Sequence, residues 1–259
     1  MCSTRGILVM KKPKKLSIKI ITLFPQFIEF FVESFGIVRR AIKLKLLDIK
    51  AVNLRSFGLD ERQTVDGRPY GGGVGMVLRA DVLFKAIKSA CSGRPVAVPT
   101  RRRVILLTPQ GKKFHQADAQ RLTKYDQLIL VCGRYEGFDE RIRQFVDEEV
   151  SIGDYVLMGG ELPALVISEA VMRLRPGILG KDESSVAESF SDGALEYPQY
   201  TKPEVWSVPR SGTPRRAATR TKTLRVPKVL LTGHHKNIEE FRQKESLKRT
   251  KKRRPDLIR

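Results

Sequence analysis

The chain has 259 residues, 41% of them hydrophobic, with 49 Lys and Arg against 28 Asp and Glu and a formal net charge of +21. That length can bury a sizeable core and that composition excludes a disordered chain; no apolar run approaches the roughly 20 residues that cross a bilayer. The charge is uneven, with 17 Lys and Arg against Glu239, Glu240, Glu245 and Asp256 between Val205 and Arg259, a density that points to nucleic acid.

Residues 1–16 pair a short apolar run, Gly6 to Met10, with Lys11, Lys12, Lys14 and Lys15. A secretory signal has the opposite order and a longer apolar stretch, so this reads as a disordered basic extension, with an organelle-targeting segment as the alternative. Ser17 to Phe24 predicts a buried strand running into a helix at Pro25, where Phe27, Ile28, Phe31, Val32 and Phe35 recur at helical spacing before Gly36 stops them. Ala51 to Leu54 predicts a short strand, and Asp81 caps a helix through Ala90. Val104–Thr108 and Leu128–Cys132 predict strands, each followed by a helix, the first over Phe114–Lys124 and the second over Asp139–Asp147. Glu161 to Leu174 predicts a further helix, ended by Pro176-Gly177. Apolar strands alternating with helices define an α/β domain with a mainly parallel sheet. From Gly180 to about Leu224 the composition turns to Ser, Pro, Arg and Thr, which reads as a linker with a basic loop at 209–222. Asn237 and Glu240 suggest a capping box for a basic helix over Ile238–Thr250.

Cys2, Cys91 and Cys132 lack C-x-x-C spacing, and His115, His234 and His235 lack metal-ligand spacing. A disulfide framework or zinc ribbon is therefore not expected, and a reducing, cytoplasmic compartment fits. Gly-rich turns follow the successive strands: Thr108-Pro109-Gln110-Gly111, Gly133-Arg134-Tyr135-Glu136-Gly137, and Ile152 to Leu157 leading into Gly159-Gly160-Glu161-Leu162-Pro163. Glycine lets the backbone approach a ligand closely, and ligands in open α/β sheets sit beyond the carboxyl ends of strands. None of these turns is a dinucleotide or P-loop fingerprint, and Gly71-Gly72-Gly73-Val74-Gly75 fails G-x-G-x-x-G at Met76. The glycines mark a ligand site without naming its ligand.

Six segments together resemble a known family. They are Ile21–Pro25, Val65–Gly73, Cys132–Gly137, Ser151–Pro163, Tyr200-Thr201-Lys202-Pro203-Glu204 and Arg253-Arg254-Pro255-Asp256-Leu257. In order and spacing they resemble the bacterial tRNA (guanine-N1)-methyltransferases, the TrmD family of SPOUT enzymes, over about Ile18 to Ile258. The resemblance implies a SPOUT-type α/β fold whose mainly parallel sheet carries a deep trefoil knot, an exception to unknotted chains, plus a small helical C-terminal domain. The expected division is a knotted cofactor-binding domain at 17–178, a linker at 179–201 and a tRNA-binding domain at 202–259. It further implies a homodimer with a shared active site, S-adenosyl-L-methionine as methyl donor, a possible magnesium requirement, and tRNA as substrate, methylated on the guanosine 3′ of the anticodon.

By the same resemblance the cofactor is held, mainly through backbone groups, by Leu107, Thr108, Pro109, Gly133, Tyr135, Glu136, Gly137, Ile152, Gly153, Asp154, Tyr155, Val156, Leu157, Gly159, Gly160 and Pro163. Asp66, Ser189, Glu196 and Tyr200 are the expected substrate contacts. The guanine ring nitrogen carries a proton at neutral pH, so a carboxylate is needed as general base, and a cation should offset charge growing on the neighbouring carbonyl oxygen. The family's base is an aspartate in a D-S-F segment; this chain has Glu188-Ser189-Phe190, which keeps the carboxylate one methylene further out. Arg173 matches the family arginine facing the carbonyl oxygen. Gln199 and Lys202 replace a family histidine and arginine, and the basic loop at 209–222 looks like an insertion that touches phosphates. The Glu188 departure leaves open a non-catalytic RNA-binding protein on the same scaffold; a third reading makes the chain a basic ribosome- or assembly-associated protein whose glycines are merely turns.

Overall fold

Residues 14–92, 101–179, 189–190, 193–209 and 221–258 are described by the computed structural model of the chain. The N-terminal extension through Pro13, Glu188 and most of the basic loop at 209–222 lie outside them. In chain order the elements are β1 (Leu16–Thr22), α1 (Pro25–Ser34), α2 (Gly36–Lys43), β2 (Leu47–Asn53), β3 (Asp66–Gly67), β4 (Val77–Leu78), α3 (Ala80–Cys91), β5 (Arg102–Lys113), α4 (Gln116–Leu122), β6 (Gln127–Cys132), β7 (Glu148–Ser151), α5 (Glu161–Met172), β8 (Val205–Pro209), β9 (Thr221–Arg225) and α6 (His235–Arg253). Contacts divide the chain into two compact units, residues 1–185 and 186–259.

The first unit is built on a five-stranded sheet in the order β2-β1-β6-β5-β7, with every pairing parallel. Alternate side chains feed opposite faces, as a two-residue period requires. Leu16, Ile18, Ile20, Ile105, Leu107, Leu128 and Leu130 join a core with residues of α1, α2, α4 and α5. Ile21, Val104, Leu106, Ile129 and Val131 join a second core with α3 and Ile142. Both faces of the sheet are therefore covered, which explains strands that read as continuous apolar runs. Lys19 shows how a charged residue is accommodated there: its Nζ donates to the Ala90 carbonyl at the end of α3, 2.6 Å away, satisfying a carbonyl the helix leaves unpaired.

Several sequence expectations change. Gly36 does not stop a helix but opens α2, because Phe35 already breaks the run in an extended conformation. Asp81 is not a cap; α3 begins a residue earlier and Asp81 instead pairs with Arg79 at 2.9 Å. The segment after Asp139 is a 3-10 turn over Glu140–Phe145, held by the Asp139 carboxylate accepting from the Arg141 N–H; it is too short for an α-helix to repay its nucleation cost. The expected loop at Thr108–Gly111 is a bulge in β5, since Leu107 and Lys112 both pair with Val150. Gly111 is required there, because a Cβ would lie 2.4 Å from the Val150 nitrogen.

In the second unit the stretch read as linker contains an antiparallel hairpin, β8 with β9. The capping box at Asn237 does not form, because α6 starts at His235 and Asn237 is already inside it. No helix among the described residues is long and apolar enough to cross a membrane.

Candidate active site

β6 lies between β1 and β5, while β7 lies on the far side of β5. The chain must therefore cross the end of β5 to reach β7, and the loops converge where backbone groups are released from strand pairing. They enclose a cavity of about 330 Å³, in the size range of small-molecule sites. Leu107, Thr108 and Pro109 line it from the β5 bulge, and Gly133, Tyr135, Glu136 and Gly137 from the loop after β6. Ile152, Gly153, Tyr155, Val156, Leu157, Gly159, Gly160 and Pro163 line it from the segment between β7 and α5. Asp154 is not in the wall; its carboxylate is exposed and pairs with Lys113 at 2.6 Å.

Gln110, Arg134, Phe138, Glu140, Arg143, Val150, Ser151 and Met158 complete the lining, and sequence reading missed them. Two of them tie the loops together. Arg143 donates through Nη2 to Gln110 Oε1 at 2.6 Å and through Nε to Glu140 at 2.7 Å, and it also pairs with Glu149. Arg134 donates through Nε and Nη2 to Glu161 Oε2 at 3.1 and 2.9 Å, and its guanidinium lies 4.3 Å from the centre of the Phe24 ring. Glu161 is 3% exposed and takes a further hydrogen bond from the Thr22 hydroxyl at 2.7 Å. A buried carboxylate is tolerable only when its oxygens are satisfied this way. The signal in the sequence was an Arg and a Glu of opposite sign, each directly after a glycine of a separate turn.

Gly160 explains why that turn can sit so low. A Cβ there would lie 2.7 Å from the Cys132 Cα and 2.8 Å from the Gly133 nitrogen, so only glycine lets the two loops cross. Cys132 beneath it is fully buried, and burial pushes its thiol well above the ordinary range, which makes it a packing residue rather than a nucleophile.

Asp66, on β3, reaches the cavity's edge through Tyr135. Burial, with the Asp66 carboxylate beside it, pushes the Tyr135 phenol up. Tyr135 itself sits at φ 58°, an uncommon backbone for an aromatic residue that clusters at functional sites. The exposed Gly-rich loop between β3 and β4 is held to the same region by the Glu136 N–H, which donates to the Met76 carbonyl at 2.9 Å. Arg173 caps α5 at the end away from the cavity. The helix puts it roughly 20 Å from Gly160 at 1.5 Å per residue.

In the second unit, α6 holds the residues that follow Glu188. Arg254 lies 5.7 Å from the Phe190 ring centre and Arg242 4.7 Å from that of Tyr197. Between them Thr250 accepts from the Leu195 N–H at 2.9 Å and Ser246 donates to the Leu195 carbonyl at 2.6 Å. These four residues are spaced by four: Arg242, Ser246 and Thr250 share one stripe of the helix, and Arg254 sits at its C-terminal cap. Ser189 accepts from the Glu196 N–H at 3.0 Å, so two expected substrate contacts brace each other. Tyr200 is half exposed, three residues past Tyr197. Among the described residues no group of three or more His, Cys, Asp or Glu side chains could hold a metal ion.

Parallel sheet, crossing loops and backbone-lined cavity define an α/β protein with a ligand cleft at the carboxyl edge of its sheet. Residues 16–259 match the family model described as tRNA (Guanine-1)-methyltransferase TrmD, and the chain belongs to that family of methyltransferases. A tRNA (guanine-N(1)-)-methyltransferase of Symbiobacterium thermophilum is 47% identical over 242 residues, covering 93% of this chain and 91% of that protein. Proteins of the same name from Desulfitobacterium hafniense and Geobacillus kaustophilus are each 45% identical. The matches cover 92% and 94% of this chain and 83% and 91% of those proteins.

Proposed function

We propose that this chain methylates N1 of the guanosine at tRNA nucleotide 37, taking the methyl group from S-adenosyl-L-methionine, in the cytoplasm. The observation that carries this reading is the cavity of about 330 Å³ lined by three crossing loops, in a chain that belongs to the family over residues 16–259. The residues present fit the cofactor. Backbone donors and acceptors from Leu107, Gly133 and Ile152–Leu157 suit a nucleoside, and the Glu136 and Glu140 carboxylates suit a positively charged sulfonium. The crossing at Gly160 is the centre of what we take to be a trefoil knot. The bound cofactor supplies an electrophilic methyl group; the protein's task is to orient and to move a proton.

Glu188 removes the N1 proton of guanine, and the Arg173 guanidinium offsets the charge that builds on the neighbouring carbonyl oxygen. Asp66, Ser189, Glu196 and Tyr200 hold the base, which a tRNA loop can splay out more cheaply than a duplex can. The length of α5 between Gly160 and Arg173 supports a site shared between two copies, in which Arg173 serves the cleft of the other chain. Exposed Phe27 and Phe30 on α1, Leu162 and Val166 on α5, and Val156 and Met158 beside the cavity supply an apolar surface for such a homodimer. Magnesium, expected from the family, would have to come with the tRNA or the cofactor rather than from a cluster of described side chains.

The test is methyl transfer to tRNA transcripts carrying guanosine or adenosine at nucleotide 37. Transfer to the first and not the second is expected, with the product methylated at N1. Cofactor binding by calorimetry without any transfer would leave an RNA-binding protein on this scaffold, and the absence of both would sink the enzyme reading.

A further inference from the structure

Among the described residues, none buries the β8–β9 hairpin. Its register pairs Trp206 with Leu224 and Val205 with Arg225. Side chains alternate across a strand, so Trp206, Leu224 and Lys222 share one face, and Val205, Ser207, Thr223 and Arg225 the other. Both faces are open: Trp206 is 57% exposed, Val205 39% and Leu224 38%, and Ser207, Lys222, Thr223 and Arg225 are exposed as well. Two strands alone are marginally stable in water, and here cross-strand pairs such as Trp206–Leu224 and the 3.3 Å contact between the Ser207 and Thr223 hydroxyls are what hold them. An indole laid open beside an aliphatic neighbour is a costly surface to leave in water.

The charge decides what covers it. Between Val205 and Arg225 the sequence has six cations, Arg210, Arg215, Arg216, Arg220, Lys222 and Arg225, and no acid. An apolar protein partner would need an aromatic patch without that charge, whereas nucleic acid needs both: a π-face for a base and cations for the phosphates beside it.

We propose that the β8–β9 hairpin is an RNA-contact platform, in which a nucleobase stacks on Trp206 while Lys222, on the same face, engages a flanking phosphate. The proposal rests on the reading of tRNA as substrate and adds to it a contact separate from the guanosine site. Unpaired or splayed nucleotides fit this platform and a continuous duplex does not, because stacking needs an open base face.

Trp206 is the chain's single tryptophan, so the full-length protein reports on this contact by its own fluorescence. Titration with unmodified tRNA should quench it, saturating at the same concentration as binding measured by filter retention. Trp206→Ala should weaken retention about tenfold and Trp206→Phe should restore most of it, as expected for base stacking. Lys222→Ala should lower the slope of log affinity against log salt by about one. Quenching by heparin equal to that by tRNA would reduce the hairpin to a charge patch and overturn the stacking role. Retention and methyl transfer that proceed with no change in fluorescence, and that survive Trp206→Ala, would overturn the proposal and leave the methyltransferase reading standing. Loss of both retention and transfer in the unaltered protein would instead remove tRNA as substrate. A thermal melt of each variant, unchanged from the parent, shows that the fold is kept.

Discussion

The two units are held together by different forces. Among the described residues every buried hydrophobic side chain belongs to residues 1–185, whereas in 186–259 the one buried residue is Thr250. The larger unit covers both faces of its sheet and fixes its loops from beneath. The smaller unit has α6 gripping a single extended segment through two hydroxyls and two arginine–aromatic contacts. Small units bury too little apolar surface to be stable by burial alone. The comparison teaches a division of labour: geometry that must be rigid, the loop-lined cleft, is placed where a core can support it. Charge that must meet a polyanion is placed where little core exists to be strained by it.

The largest expected effect would break that division most directly. With Glu188 as the proposed general base, Glu188→Gln should lower single-turnover methyl transfer by at least about a hundredfold, the usual scale of a lost general base. Cofactor affinity by calorimetry should be unchanged; its loss would put Glu188 in the cleft of the larger unit. Next comes Glu161→Ala, which leaves the Arg134 guanidinium and the Thr22 hydroxyl without their shared carboxylate. Breaking a buried pair costs about 3 kcal/mol, and chemical denaturation should show the larger unit losing stability together with cofactor binding. Gly160→Ala tests the same region by sterics. Its Cβ would meet backbone, which cannot yield as a flexible side chain can, so about 2 kcal/mol of overpacking is expected with weakened cofactor binding.

Two smaller effects sharpen the contrast. Thr250→Val removes the acceptor of the Leu195 N–H and should cost about 1–2 kcal/mol. Hydrogen exchange should report faster opening around Leu195 and no change in the sheet, and Thr250→Ser should restore protection. In the larger unit, burial works to raise the Asp118 carboxyl, and the His115 N–H together with Lys112 and Arg121 outweighs it, leaving Asp118 below its ordinary range. A carboxylate with a depressed folded value stabilises fully above its unfolded value, near about 3.9, and loses that contribution as pH falls through the lower folded one. Asp118→Asn should therefore cost roughly 1 kcal/mol at neutral pH, a cost that shrinks in melts as pH falls below the unfolded value near about 3.9.

The legibility of the chain follows the same split. The strand at Leu128–Cys132 was readable because burial on both faces leaves a continuous apolar run, and the α5 helix because its apolar residues recur before Pro176-Gly177. The cleft-lining turns were readable as glycine clusters after strands, yet Asp154 inside one of them faces Lys113 instead of the cavity. Arg134 and Glu161 stood in those turns without a role, because nothing along the sequence pairs them. In the smaller unit polar composition hid the hairpin, since two exposed strands carry no core-facing period. The start of α6 was misplaced because Asn237 and Glu240 form a local capping pattern that the helix overrides.

What the sequence determined by itself is local or additive: the continuous apolar runs that mark strands covered on both faces, the glycines that free a backbone, and the excess of cations that selects a polyanion. These need no knowledge of the chain's path, because each is a property of neighbouring residues or of their sum. Tertiary structure decided which distant groups meet. Thr22 reaches Glu161 across 139 positions, Arg134 reaches it across 27, and Leu195 finds Thr250 across 55. Such pairs are chosen by how the backbone crosses itself, where desolvation penalises any buried polar group without a partner, and no pattern along the sequence encodes that choice.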